Sequence, residues 1–131
     1  ALRYAKWLRA RPPTPPGGAL PAAALVFLRW TPETKMIRGD WNIPVPPPEA
    51  DALTPDITLA TCLGWSEGCY RLGWGGGYFD RTLAALAPRP MAIGIALSAG
   101  HLRTNYPQPH DIALELIVTE AGVSAERTAT P

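Results

Sequence analysis

Three observations place this sequence among the α/β folds, with a three-layer, mostly parallel, Rossmann-like sheet flanked by helices. Short apolar runs rich in β-branched residues recur at 22–30, 56–63, 91–97 and 112–119. A helical pattern at 78–86 stands between two of them. A glycine-rich loop, 64–77, joins a strand to that helix. Strands alternating with helix favour parallel pairing with helices on the sheet faces. Ligands of such sheets bind beyond the carboxyl ends of strands, which is where this loop falls.

The elements follow in order. Residues 2–10 carry Leu2, Ala5 and Leu8 or Trp7 on one side and Arg3, Lys6 and Arg9 on the other, a short helical pattern. It stops at Arg11-Pro-Pro-Thr-Pro-Pro-Gly-Gly18, where proline fixes φ and removes donors, so this run is a connector. Residues 22–30 read as a buried strand, 31–34 as a turn and 35–38 as a possible return strand. Trp41-Asn-Ile-Pro-Val-Pro-Pro-Pro48 is extended in the polyproline manner. After the strand at 56–63 and the glycine loop, the helix at 78–86 is closed by Pro88. Strands at 91–97 and 112–119 flank an irregular segment, 101–110. From Ala121 the composition turns small and polar, and 123–131 is expected to be a flexible tail on a single domain spanning 1–131.

Composition narrows the function. The chain has 131 residues, enough for one core, and is 47% apolar and 18% charged. Twelve basic against eleven acidic groups give a formal charge of +1, without the basic excess of a nucleic-acid protein. The longest apolar run, 22–28, is far short of the roughly 20 residues of a membrane helix. Two cysteines, Cys62 and Cys69, match no zinc or thioredoxin spacing and fit a reducing compartment, so a cytoplasmic monomer is expected. The chain begins at Ala1, and an N-terminal piece is expected to be absent.

The chemistry concentrates in Arg71-Leu72-Gly73-Trp74-Gly75-Gly76-Gly77-Tyr78-Phe79-Asp80-Arg81. Glycine admits φ > 0 and lets backbone N–H groups approach a ligand. Successive N–H groups form a concavity for anions, and a helix start adds its positive end. Arg71 supplies a charged fork for phosphate. Asp80 is suited to a cation bridging phosphate oxygens, or equally to a first-turn carboxylate stabilised by the helix dipole alone. The run lacks the Gly-Lys-Ser/Thr ending of a Walker A loop and is not the Rossmann fingerprint. On pattern alone, phosphate cradle and tight connection stand level.

That run resembles the nucleotide-binding signature of the 5-formyltetrahydrofolate cyclo-ligase (5,10-methenyltetrahydrofolate synthetase) family, Arg-Leu-Gly-x-Gly-x-Gly-Tyr-Tyr-Asp. Leu25-Val-Phe-Leu-Arg-Trp-Thr-Pro32, Asn42-Ile-Pro-Val-Pro46 and Pro109-His-Asp-Ile-Ala-Leu-Glu-Leu-Ile-Val-Thr-Glu120 resemble further family segments in order and spacing, so the likeness covers about residues 20–122. The resemblance implies an enzyme that closes 5-formyltetrahydrofolate to 5,10-methenyltetrahydrofolate with ATP and Mg²⁺, through a phosphorylated formyl group. It implies nucleotide contacts from Arg71 to Phe79, with Arg71 and Tyr78 as catalytic residues. Folate contacts fall on Trp41 and on Trp74 to Tyr78, and metal ligation on Asp80 and Asp111. Apart from the resemblance, Asp111 reads as a turn residue before a strand and Trp41 as ordinary packing.

Three positions depart from the family pattern. Cys69 stands where a glycine is usual, Ser66 where an aspartate is usual, and Phe79 replaces the second tyrosine. The family's N-terminal helix with its phosphate-reaching Lys and Arg, and its folate-contacting glutamate, have no counterpart in these residues. The resemblance therefore implies that residues 1–131 alone do not turn over, and the alternative function is an inactive, nucleotide-binding relative. His101 and His110 have no ligand-like partner at helical spacing, and Glu115 and Glu120 read as solvated strand flanks.

Overall fold

The protein is described by a computed structural model at residues 5–9, 24–39 and 42–128. The strands are β1 (Ala5–Arg9), β2 (Leu25–Arg29), β3 (Ile37–Arg38), β4 (Pro44–Val45), β5 (Ala52–Leu53), β6 (Ile57–Thr61), β7 (Gly64–Trp65) and β8 (Arg71–Leu72). After helix α1 (Tyr78–Ala85) come β9 (Met91–Ile95), a 3₁₀ turn (Ser98–Gly100), β10 (Leu116–Thr119) and β11 (Gly122–Glu126). No helix among the described residues is long and apolar enough to cross a membrane.

The main sheet runs β11-β10-β9-β6. β6 and β9 pair in parallel from Ile57↔Met91 to Thr61↔Ile95, and β9 pairs in parallel with β10. Parallel strands need a crossover, and α1 supplies it between β6 and β9. β11 closes the order antiparallel to β10. A second sheet, β1-β2-β5, is antiparallel throughout, and β3/β4 and β7/β8 are two-residue hairpins. The architecture is thus a mixed set of sheets with one α-helix among the described residues, less uniformly parallel than the periodicity predicts.

The core lies between α1 and one face of the main sheet. Leu83 of α1, Leu114 and Ile117 are fully buried, packed with Ala60, Ala92 and Ala96. Small residues on β6 and β9 let these side chains approach the sheet closely. At Gly94 a Cβ would stand 2.6 Å from Ile117 Cδ1 and 2.8 Å from Leu114 Cδ1, so no larger residue fits without repacking. Thr82, also buried, links the helix to the second sheet. Its Oγ1 accepts the Leu25 N–H at 2.7 Å and donates to the Tyr78 carbonyl at 2.6 Å.

The structure corrects the sequence reading at both ends. Residues 5–9 form β1, not helix, and pair antiparallel with β2 from Ala5↔Arg29 to Arg9↔Leu25. A nine-residue helix is marginal alone, whereas pairing satisfies the backbone along a ready strand edge. The expected tail from 123 onward begins instead as β11, with Val123 opposite Val118 across a bulge. Small polar residues hide a strand there, which forms because its partner is at most ten residues away and the turn at Glu120–Ala121 is tight. The proline-rich connector and the last three residues lie outside the described residues.

Thr82→Val keeps shape but leaves the Leu25 N–H without its acceptor. It is expected to lower stability by about 1–3 kcal/mol, read as a shift in urea midpoint at constant slope. An unchanged midpoint would show that α1 does not depend on this bond.

Candidate functional site

The residues of the glycine loop gather on one cavity of about 440 Å³. Every position from Arg71 to Asp80 lines it, together with His110 and Asp111 from the lead-in to β10. Leu25 and Phe27 of β2, Leu59, Ala60 and Thr61 of β6, and Asn105 complete its wall. The volume is in the range of small-molecule pockets, roughly 300–1,000 Å³.

Local backbone chemistry shapes the loop. Gly75 and Gly77 hold φ of 87° and 65°, conformations that carry a steric cost for any residue with a Cβ. Gly77 is the N-cap of α1 and offers no side-chain acceptor to its first turn, so the helix start presents its donors as an anion site does. At Gly75 a Cβ would meet nothing within 4 Å. The glycine there is favoured by its dihedral angle, not by a protein neighbour. Arg81 Nη1 donates to the Gly76 carbonyl at 2.6 Å and holds the loop's far side.

Arg71 and Asp80 form the charged floor. Their side chains are only 14% and 17% exposed, with Arg71 Nη2 3.9 Å from Asp80 Oδ2. The Arg71 guanidinium stacks over the Phe79 ring at 4.9 Å, a cation–π contact worth about 0.5–2 kcal/mol. Arg71 Nε is buried with no hydrogen-bond partner. A buried donor without a partner among the described residues is unusual in a folded protein, and it marks this position as one to explain. Asp80 Oδ1 accepts the Ile112 N–H at 3.0 Å, which ties the helix start to the segment carrying Asp111. Asp111 Oδ2 accepts the Gln108 N–H at 2.8 Å, and Oδ1 lies 3.5 Å from His110 Nε2.

The structure thus brings together Arg71, Leu72, Gly73, Trp74, Gly75, Gly76, Gly77, Tyr78, Phe79, Asp80 and Asp111. Trp41 lies outside the described residues. Trp74 is 89% exposed at the loop tip. Groups of three or more potential metal ligands do not occur among the described residues. Sequence reasoning missed Asn105, which accepts from Ser66 Oγ at 3.1 Å, and the apolar wall from β2. It also placed Glu115 in solvent, whereas Glu115 accepts the Ala92 N–H at 2.6 Å and pairs with Arg127 at 3.0 Å.

The departure at Cys69 has a physical explanation. Cys69 is buried at φ 62°, in the turn Ser66–Cys69 that sets up β8. A glycine is the natural occupant of that dihedral, and cysteine accepts the strain in return for a core contact. Ser66 keeps a polar bond in place of an aspartate.

A family model described as "5-formyltetrahydrofolate cyclo-ligase family" matches residues 11–120. The chain is 37% identical over 67 residues to a 5-formyltetrahydrofolate cyclo-ligase of Mycoplasma pneumoniae, a match covering 50% of this chain and 39% of that protein. The structure resembles a 5,10-methenyltetrahydrofolate synthetase of Aquifex aeolicus with a TM-score of 0.67 and 25% identity, covering 82% of this chain and 56% of that one. A second 5,10-methenyltetrahydrofolate synthetase, from Mycoplasma pneumoniae, aligns with a TM-score of 0.53 and 26% identity, over 73% of this chain and 49% of that one. The matches span about half the length of these relatives.

Burial pushes both thiols up. It outweighs the charge of Arg71 at Cys62, and that of Arg127 at Cys69. A thiol raised in the folded state contributes stability that is present below its unfolded pKa and lost as pH rises through the folded value. Both cysteines are therefore expected to react with a disulfide reagent at pH 8 at least about tenfold more slowly folded than in urea, and stability is expected to fall above pH 9. Equal rates in the two states would contradict this burial.

Proposed function

The chain belongs to the 5-formyltetrahydrofolate cyclo-ligase family, and we propose that it carries the nucleotide and folate site of an enzyme that closes 5-formyltetrahydrofolate to 5,10-methenyltetrahydrofolate at the expense of ATP. The observation that carries this reading is the convergence of the whole Arg71–Asp80 run and Asp111 on one cavity. The names of the relatives support the same chemistry.

In the proposed reaction the formyl oxygen attacks the γ-phosphorus, an O–P bond forms, and the bond to the β-phosphate bridge breaks as ADP leaves. The neighbouring ring nitrogen then closes on the activated formyl carbon. Phosphate departs with the oxygen and the nitrogen gives up its proton. Phosphoryl transfer demands little covalent help, so the protein's part is to position groups and to meet charge.

The geometry of the loop supports the roles assigned here, and the family resemblance supplies the rest. The loop N–H groups from Gly73 to Gly77 and the start of α1 meet the phosphates. Arg71, with its unmatched Nε and its loose contact to Asp80, turns its charge to the transferring group. Trp74 and Tyr78 face the flat folate ring, and Tyr78 also orients the reacting centre; Trp41 is assigned to the folate by the family resemblance alone. Phe79 holds the guanidinium in place. Asp80 and Asp111 fit Mg²⁺, a hard cation that takes one or two carboxylates and fills its remaining positions with phosphate oxygens and water. Bound there, the ion would neutralise charge on the phosphates.

Asp80→Asn is expected to lower the rate of methenyl-folate formation, followed by its absorbance, about 10²–10³-fold in the complete protein. The fold should survive, because the amide oxygen still accepts the Ile112 N–H. Activity within a few-fold of the parent at saturating Mg²⁺ would remove Asp80 from the metal role. A complete parent protein that binds ATP without forming the methenyl product would instead favour the inactive, nucleotide-binding reading.

A further inference from the structure

Asn105 lines the same cavity as the glycine loop, and no role assigned above uses it. It is half-buried, and its Oδ1 accepts the Ser66 hydroxyl at 3.1 Å. Ser66 is itself buried and fixed by its backbone. Its N–H donates to the Tyr70 carbonyl at 3.1 Å, and its carbonyl accepts the Cys69 N–H at 2.9 Å. The amide oxygen of Asn105 is therefore held, while Nδ2 donates to no group among the described residues. A hydroxyl at position 66 sets this orientation, because it donates to Oδ1. A carboxylate there could only accept, and would draw Nδ2 to itself.

The fold brings this amide to the Arg71 side of the cavity. Ser66 follows Trp65, and Trp65 stands opposite Arg71 in the β7/β8 hairpin. The segment that carries Asn105 is tied to the same strand. The Leu102 N–H donates to the Trp65 carbonyl at 2.8 Å, and the His101 ring lies 4.6 Å from that of Trp65. Tyr106, the next residue, holds φ 48° with its ring 77% exposed. Burial of the ring does not account for that backbone, and strain kept beside a cavity points to a position held for function.

Two donors without a protein acceptor thus lie on one side of the cavity, Arg71 Nε and Asn105 Nδ2. Neighbouring donors of this kind suit a group rich in acceptor oxygens, and a phosphate is such a group. Given the nucleotide reading of the glycine loop, on which this rests, we infer that Asn105 Nδ2 donates a hydrogen bond to a phosphate oxygen of the bound nucleotide, beside Arg71. Asn105 is then a binding residue of the site that carries no motif of its own.

The test measures the affinity of the whole chain for MgATP, for tripolyphosphate with Mg²⁺ and for 5-formyltetrahydrofolate by calorimetry. Asn105→Ala removes the donor without adding charge. Asn105→Asp keeps the shape and an acceptor for the Ser66 hydroxyl. Each is expected to weaken MgATP and tripolyphosphate at least about tenfold, with folate affinity within about twofold of the parent. In the unaltered, ¹⁵N-labelled chain the Asn105 side-chain amide should shift on titration with MgATP, and that of Asn42, bonded to Arg38 and not part of the cavity wall, should stay in place. If neither variant folds, as read by circular dichroism, that shift decides. MgATP affinity kept by folded Asn105→Ala, a loss for folate as large as that for MgATP, or an unmoved Asn105 amide would overturn the inference and leave the nucleotide site at the loop in place. An unaltered chain that does not bind MgATP would overturn both.

Discussion

Asp80 sits in the first turn of α1, and its carboxylate accepts the Ile112 N–H at 3.0 Å. That bond closes a loop of contacts on which the site depends. It joins the helix that follows the glycine run to the segment that delivers Asp111 and His110, more than thirty residues later in the chain. Two residues on, Thr82 anchors the same helix to β2 through the Leu25 N–H. One short helix is thus fixed by side-chain oxygens to β2 and to the segment that leads into β10. A carboxylate held this way retains one oxygen for other partners, and here that oxygen faces Arg71. The two oxygens of this one side chain thus have different neighbours, a backbone amide and a guanidinium.

The charge arrangement explains why the pair is loose. A tightly matched Arg71–Asp80 bridge would already be satisfied and would resist a ligand. The pair is 3.9 Å apart and largely out of water, and Nε has no partner among the described residues, so under the proposed function a phosphate would supply what this neighbour does not. The Phe79 ring beneath it offers attraction without using a donor. A tyrosine at this position would add a hydroxyl, but the ring face is what the guanidinium touches.

Much of the site was legible in the sequence because it is local. The glycine run, the start of α1 at Tyr78 and the adjacent Asp80 need only neighbouring residues to specify them, and helix and loop fall where the pattern puts them. Asp111 was reached through resemblance, since nothing near it in sequence announces that Asp80 binds the next amide. What escaped reading is non-local. β1 looks helical over nine residues and is a strand because β2 offers it an edge. β11 hides in small polar residues and exists because β10 precedes it. Asn105 has no motif, and only the fold carries it to Ser66 and the cavity wall. Cys69 looked like a defect in the pattern, and the structure shows it holding the positive φ that the pattern's glycine would hold.

The central claim is that the run from Arg71 to Asp80 is where the nucleotide binds. Titration of the ¹⁵N-labelled protein with ATP and Mg²⁺ reads this directly, residue by residue. The account predicts that the largest shifts fall on the amides of Gly73, Gly75, Gly76, Gly77 and Tyr78 and on the Arg71 side-chain Nε, with β11 unmoved. Shifts that cluster away from the loop, or none at millimolar ATP, would contradict it.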